Sequence, residues 1–182
     1  MSDRTKLDRR RFFGTAAMAL ATAQIALDDS VWAQPPRKML DAAGFKAGTN
    51  TSFASLKQLD AGLLSVGYAE VGPAGGEPVI LLHGWPYDIH SFVDVAPLLA
   101  SANYRVIVPY VRGYGTTHFL SDSTIRNGQP SALALDAIEL MNALKIEKAT
   151  LAGFDWGART ANILAALWPE RCKARSSPSA AI

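Results

Sequence analysis

Gly153-Phe154-Asp155-Trp156-Gly157 places one reactive side chain between two glycines. A strand-like run, Lys148 to Ala152, precedes the pentapeptide, and a helix-like run, Ala158 to Leu167, follows it. A Gly-x-nucleophile-x-Gly turn between strand and helix is so tight that small residues must flank the reactive group. Ser is its usual occupant; here the position holds Asp155. An unperturbed Asp ionises near pKa ~3.9 and needs no base to become nucleophilic at neutral pH. Its attack on an ester would give an unfavourable mixed anhydride. Its attack on a saturated carbon bearing a halide or a strained epoxide oxygen gives an ordinary alkyl ester, which is covalent catalysis by a carboxylate. Water must then cleave that ester at the Asp155 carbonyl carbon, a step that needs a general base and an oxyanion hole.

The turn supplies half of such a hole through the backbone N–H of Trp156, the residue after the nucleophile. The other half is expected from the loop after the apolar run Pro78 to Leu82, which reads His83-Gly84-Trp85-Pro86, with the Trp85 N–H as the donor. The Trp156 indole N–H is a further candidate contact for a leaving halide or a substrate oxygen. For both Trp side chains, core packing and ligand contact are equally compatible with the sequence. The plain alternative for Asp155 is a carboxylate that caps the following helix.

The elements around these residues read as alternating strands and helices. Phe53 to Leu59 and Leu63 to Val71, separated by Asp60-Ala61-Gly62, have the pattern of a hairpin. Pro78 to Leu82 and Tyr104 to Pro109 are continuous apolar runs of the kind buried on both faces of a parallel sheet. Ser91 is expected to begin a helix, with Asp94 completing a capping-box-like pair and Pro97 bending its second turn. Pro130 to Leu144 is amphipathic: Ala134, Ile138 and Met141 form one stripe, Ala137 and Leu144 lie beside it, and Asp136 and Glu139 lie off it. The fold class is α/β, an N-terminal β-hairpin followed by parallel strands with crossover helices.

His83-Gly84-Trp85-Pro86, Arg112-Gly113-Tyr114-Gly115 and Gly153 to Ala158 resemble the N-terminal half of an α/β-hydrolase, of the branch containing epoxide hydrolases and haloalkane dehalogenases. The similarity runs from about Leu63 to Cys172, so the fold it implies is a partial α/β-hydrolase. It implies a structural role for His83, a place near the site for the Arg112 to Gly115 loop, and a small-molecule substrate of the epoxide or alkyl halide class. Haloalkane dehalogenases typically carry Asn where this chain has Trp85, so the resemblance favours the epoxide reading, and Trp156 keeps dehalogenation open. The family's helical cap, catalytic acid and late catalytic His have no counterpart between Lys173 and Ile182. His90 and His118 both precede Asp155, against the family's chain order. An impaired or inactive hydrolase is therefore expected, and a non-catalytic remnant or binding scaffold is the rival reading. A Ser-type esterase lacks support, because no Gly-x-Ser-x-Gly occurs.

Composition sets the remaining bounds. The chain has 182 residues, 49% hydrophobic and 19% charged, with a net charge of +2, as expected of one globular domain. No Lys/Arg stripe follows the first eleven residues, so nucleic-acid binding is not expected. Cys172 is the single cysteine and cannot form an intrachain disulfide. No metal-binding or nucleotide-binding motif is present, and no cofactor is expected. Arg9-Arg10-Arg11-Phe12-Phe13 and the uncharged run to Leu27 resemble a twin-arginine export signal. The expected organisation is a signal over 1–33, a linker or arm over 34–52, the hydrolase half over 53–172 and an aberrant tail over 173–182. Export machinery is the implied partner, and a periplasmic or secreted location follows. One back-translation of the last nine residues reads ALVSVSGYL two bases on, which suggests a shifted frame. Without a sixth strand, the strand bearing Asp155 is expected to be an exposed edge prone to self-association.

Overall fold

The computed structural model describes Gly48 and residues 50–176. The signal over 1–33, most of the arm over 34–52 and the end of the tail lie outside the described residues. Those described belong to a compact unit spanning Leu40–Ile182.

The predicted hairpin forms, shifted toward the C-terminus. β1 (Lys57–Ala61) and β2 (Leu64–Val71) pair antiparallel around Gly62-Leu63. Phe53 stands outside the hairpin and packs on the core. β2 also pairs antiparallel with β4 (Tyr104–Pro109) and with the short β5 (His118–Phe119). β3 (Glu77–Leu82) lies parallel between β4 and β6 (Ala149–Gly153). The sheet order is β1-β2-β4-β3-β6-β7, with β5 beside β2.

β3 shows why these strands lack alternation in sequence. Successive side chains point to opposite faces. Ile80 and Leu82 enter one core cluster with Ile107, Leu151 and Met141, whereas Val79 and Leu81 enter another with Val106, Val108 and Phe92. Helices cover the sheet from both sides. α1 (Val95–Ser101) joins the second cluster through Ala96, and α2 (Pro130–Ala143) and α3 (Trp156–Leu167) cover the first. On α2 the predicted stripe of Ala134, Ile138 and Met141 is buried, with Ala137 beside it. Pro130 suits the start of α2, because its missing N–H would have no helical acceptor there.

Two expectations are corrected. No continuous helix runs from Ser91. A 3₁₀ turn over Ile89–Phe92, capped by the Asp88 carboxylate on the His90 N–H, precedes α1. Pro97 has no N–H to donate backwards and is tolerated only in a first turn, so α1 starts just before it. Asp94 makes no side-chain cap and instead accepts from the Gly48 N–H at 2.7 Å and the Asn50 amide at 3.0 Å. Second, β6 is not an edge. β7 (Cys172–Ser176) pairs parallel with it, so the edge moves one strand outward and the tail's first residues are strand. Strand pairing uses backbone groups and so does not require an apolar pattern in the sequence, and Lys173 adds an ion pair to Glu77 at 3.2 Å.

Across β1, β2 and β4 the Glu70 carboxylate accepts from Lys57 and Arg105, both at 2.6 Å. Burial alone would push this carboxyl up, but the two cationic donors outweigh it and hold it below the ordinary range. A depressed folded-state pKa gives stability that is present above the unfolded value of about 4.3 and lost as pH falls through the folded value. Glu70→Gln is therefore expected to flatten the acid limb of a stability-versus-pH curve measured by urea unfolding below pH 5.

Candidate active site

The strand order fixes where a site can form. β3 is followed in sequence by β4 on one side and its neighbour β6 by β7 on the other, so the chain leaves the ends of these two adjacent strands in opposite directions. In open α/β sheets the crevice beyond the carboxyl ends at such a reversal binds ligands. Leu82 and Gly153, the last residues of β3 and β6, are register partners. The loops leaving them carry Gly84-Trp85 and Phe154-Asp155.

Asp155 sits between β6 and α3 with φ 50° and ψ −118°, a positive φ that is uncommon outside glycine. Four backbone bonds pin this bend: the Phe154 N–H donates to the Leu82 carbonyl at 3.3 Å, the Gly157 and Ala158 N–H groups to the Phe154 carbonyl at 2.9 and 3.3 Å, and the Arg159 N–H to the Asp155 carbonyl at 3.1 Å. A Cβ on Gly157 would overlap the Leu82 carbonyl oxygen, and one on Gly84 would lie 2.6 Å from the Asp155 Cβ. These two glycines let β3, α3 and the nucleophile turn approach one another.

The Asp155 carboxylate is exposed and makes no capping bond to α3, contrary to the plain alternative. The Trp85 N–H donates to its Oδ2 at 3.0 Å across 70 residues of chain. One carboxylate oxygen is thereby seated on the expected donor. α3 begins at Trp156, and amides of a helix's first turn have no helical acceptor. No bond joins the Trp156 amide to the carboxylate, so the structure places one of the two expected donors on Asp155.

A cleft of about 230 Å³ is lined among others by Trp85, whose N–H holds the carboxylate, by Trp156, the residue after it, and by Tyr114, Arg112 and Leu133. Neither Trp is core: Trp85 is 69% exposed, and Trp156 is half-buried with the Arg159 guanidinium 5.6 Å from its ring. Pro86, joined to Trp85 by a cis peptide, lines a second, wider groove with Tyr87, Asp88, His90 and Phe154.

His83 is fully buried. The Val111 N–H donates to its Nε2 at 3.2 Å, and its Nδ1 faces the Gly84 carbonyl at 3.4 Å. Burial pushes its pKa down, against the Gly84 carbonyl, the Asp88 charge and the Tyr87 carbonyl. The Tyr114 ring meets it edge-on at 4.8 Å. His90 pairs through Nδ1 with Asp88 at 2.9 Å, and His118 stands exposed on β5.

Arg112 also lines the cleft. Its Nε and Nη2 donate to Asp136 Oδ2 and Oδ1, both at 2.6 Å, and its Nη1 donates to the Asn127 carbonyl. Gly113 and Gly115 have φ 85° and 50° and carry the turn that follows. Asp136 is thus no helix-surface carboxylate. Burial pushes it up, and the Arg112 guanidinium pulls it down, with burial prevailing. The sequence did not show this partner, because acid and base lie on different elements 24 residues apart. Removing one member of a buried, hydrogen-bonded pair leaves the other uncompensated. Asp136→Ala is expected to lower the unfolding free energy by about 2 kcal/mol, read by chemical denaturation.

Residues 77–175 match the model of the alpha/beta hydrolase fold family, and the chain belongs to that family. It is 32% identical over 130 residues to an epoxide hydrolase of Caballeronia sordidicola, covering 71% of this chain and 39% of that protein. It is 38% identical over 96 residues to a fluoroacetate dehalogenase of a Burkholderia species, covering 52% of this chain and 31% of that one. A crystal structure of a candidate epoxide hydrolase from Klebsiella pneumoniae superposes with a TM-score of 0.68 at 65% identity, over 69% of this chain and 41% of that chain. The chain therefore spans about two fifths of the length of relatives such as these.

Proposed function

We propose that Asp155 is the nucleophile of an epoxide-hydrolase-like reaction. The observation that carries this reading is the Asp155 carboxylate, exposed at the bend with Oδ2 on the Trp85 N–H. That bond orients the carboxylate and leaves Oδ1 as the attacking oxygen. Oδ1 bonds to the less hindered carbon of an epoxide, and the carbon–oxygen bond of the ring breaks. The alkoxide so released takes a proton, from water or an acid outside the described residues. In the alkyl ester Oδ2 is the carbonyl oxygen. Attack of water at that carbon would place negative charge on Oδ2, facing the Trp85 N–H, and a donor aimed where charge develops speeds such a step.

Ester cleavage also requires a general base. His83 is committed to backbone groups, His90 to Asp88, and His118 is exposed on β5. Residues 1–182 by themselves are therefore expected to form the ester and retain it. The rival reading within the class is displacement of a halide, favoured by the similarity to a fluoroacetate dehalogenase and by Trp156 beside the cleft. Intact-protein mass spectrometry separates these. Ring opening adds the whole mass of the epoxide, whereas displacement adds only the alkyl group and releases halide. If neither reagent adds mass, the non-catalytic remnant is the better description.

Residues 1–33 are proposed to direct export through the twin-arginine machinery, giving a periplasmic or secreted product. The supporting observation is Arg9-Arg10-Arg11-Phe12-Phe13 ahead of an uncharged run. Export of a reporter fused after residue 33 should fail when Arg9, Arg10 and Arg11 are replaced by Lys.

A further inference from the structure

Trp85 lines the cleft, and the next residue, Pro86, lines the wider groove of about 670 Å³, which shares no lining residue with the cleft. Tyr87 and Phe154 give this groove an aromatic wall, their ring centroids 6.0 Å apart, and its polar groups include Asp88 and His90. An apolar wall with a few placed polar groups is the composition of a small-molecule site. The Asp88 Oδ1 accepts from both the backbone N–H and the Nδ1 of His90, each at 2.9 Å. Burial pushes the Asp88 carboxyl up, but the two His90 donors outweigh it and hold it below the ordinary range. An ionised carboxylate only accepts, so Nδ1 carries the ring proton, and in the neutral imidazole Nε2 carries the lone pair. No described residue engages Nε2. The Phe53 ring lies 6.4 Å from the imidazole.

We propose that His90 and Asp88 form a second catalytic site, apart from Asp155, that hydrolyses small aryl esters in the groove walled by Tyr87 and Phe154. His90 Nε2 is the nucleophile, Asp88 is its positioning residue, and the aromatic wall takes the aryl group. Nε2 attacks the ester carbonyl carbon, the bond from that carbon to the aryl oxygen breaks, and the aryl oxide leaves with the electron pair. The acyl-imidazolium so formed is a covalent intermediate on His, with its positive charge against the Asp88 carboxylate. Water adds to the acyl carbon and gives a proton to solvent. The carbon–Nε2 bond then breaks, its pair returns to Nε2, and the carboxylic acid departs. The site needs nothing from Asp155, so it stands or falls separately from the epoxide reading.

The 182-residue chain and p-nitrophenyl acetate at neutral pH supply the test, with p-nitrophenolate read by absorbance. The unchanged chain is expected to be about 10-fold faster than N-acetylhistidine at equal concentration. That lies below the roughly 10²–10⁴-fold of an enclosed acid–base group, because the His90 and Asp88 side chains are 44% and 40% exposed. His90→Gln is expected to remove this excess. Asp88→Asn keeps an acceptor for the His90 N–H but no charge, and is expected to lower kcat about 2- to 5-fold with KM unchanged. Tyr87→Ala is expected to raise KM about 3- to 10-fold with kcat unchanged. His118 is the control: its Nδ1 donates to the Thr116 carbonyl at 3.0 Å, with neither carboxylate nor aromatic groove, and His118→Gln is expected to leave the rate unchanged. A rate no greater than that of N-acetylhistidine, or equal losses in His90→Gln and His118→Gln, would overturn the proposal.

A chemical measurement decides the matter if His90→Gln fails to fold. Diethyl pyrocarbonate transfers an ethoxycarbonyl group to an unprotonated imidazole nitrogen, with loss of carbon dioxide and ethanol. In the His118→Gln chain, labelling mapped to His90 is expected to stop hydrolysis, and hydroxylamine is expected to restore it. Hydrolysis that continues with His90 labelled would overturn the proposal.

Discussion

Asp155→Asn is expected to abolish covalent capture of epoxides while leaving the fold intact. The amide has no anionic oxygen to attack a saturated carbon, so no step of the chemistry survives. Its shape is nevertheless that of the carboxylate, and its carbonyl oxygen can accept from the Trp85 N–H in place of Oδ2. The backbone at this position has φ 50°, a conformation that Asn tolerates at least as well as Asp. Stability should therefore change by no more than about 0.5 kcal/mol. Intact mass after epoxide treatment and a urea titration together separate loss of the nucleophile from loss of structure. Adduct formation at the normal rate in this variant would place the reactive group elsewhere.

Gly157→Ala is expected to produce the largest loss of stability of any single methyl added to the bend. A Cβ there would overlap the Leu82 carbonyl oxygen and lie 2.8 Å from the His83 carbonyl oxygen. Both are backbone atoms of the strand end and loop that face the nucleophile, so no side-chain rotation relieves the contact. α3 and β3 must separate, at a cost of about 3 kcal/mol or more, the upper range for overpacking. Separation also draws the Trp85 N–H away from Asp155, so epoxide capture should weaken with stability. Gly128→Ala is the control: nothing lies within 4 Å of a Cβ built there, and its φ is not positive. Unfolding midpoints that match for the two variants would mean that the glycine does not hold the strand and helix in register.

The bend was legible because its requirements are local. Two glycines, a nucleophile and the change from a strand run to a helix run fall within about twenty residues, and the steric reason for each is independent of the rest of the chain. Continuous apolar strands were legible for a similar reason, since burial on both faces removes alternation. What the sequence did not show depends on partners distant in the chain. Asp136 has the spacing of a solvent-facing helix residue, yet it is largely buried in an ion pair with Arg112. Asp94 looked like a helix cap because it follows Ser91 at the right distance, yet it holds Gly48 and Asn50. The strand over Cys172–Ser176 carries no apolar signal, because its place is set by backbone pairing with β6.

The central claim is that a carboxylate at position 155 attacks saturated carbon. Peptide-level mapping of the adduct after treatment of the 182-residue chain with styrene oxide at neutral pH tests it most directly. One adduct is expected, as an ester on the Asp155 side chain and released by hydroxylamine. An adduct confined to Cys172 or His90, or a chain recovered unmodified, would contradict it.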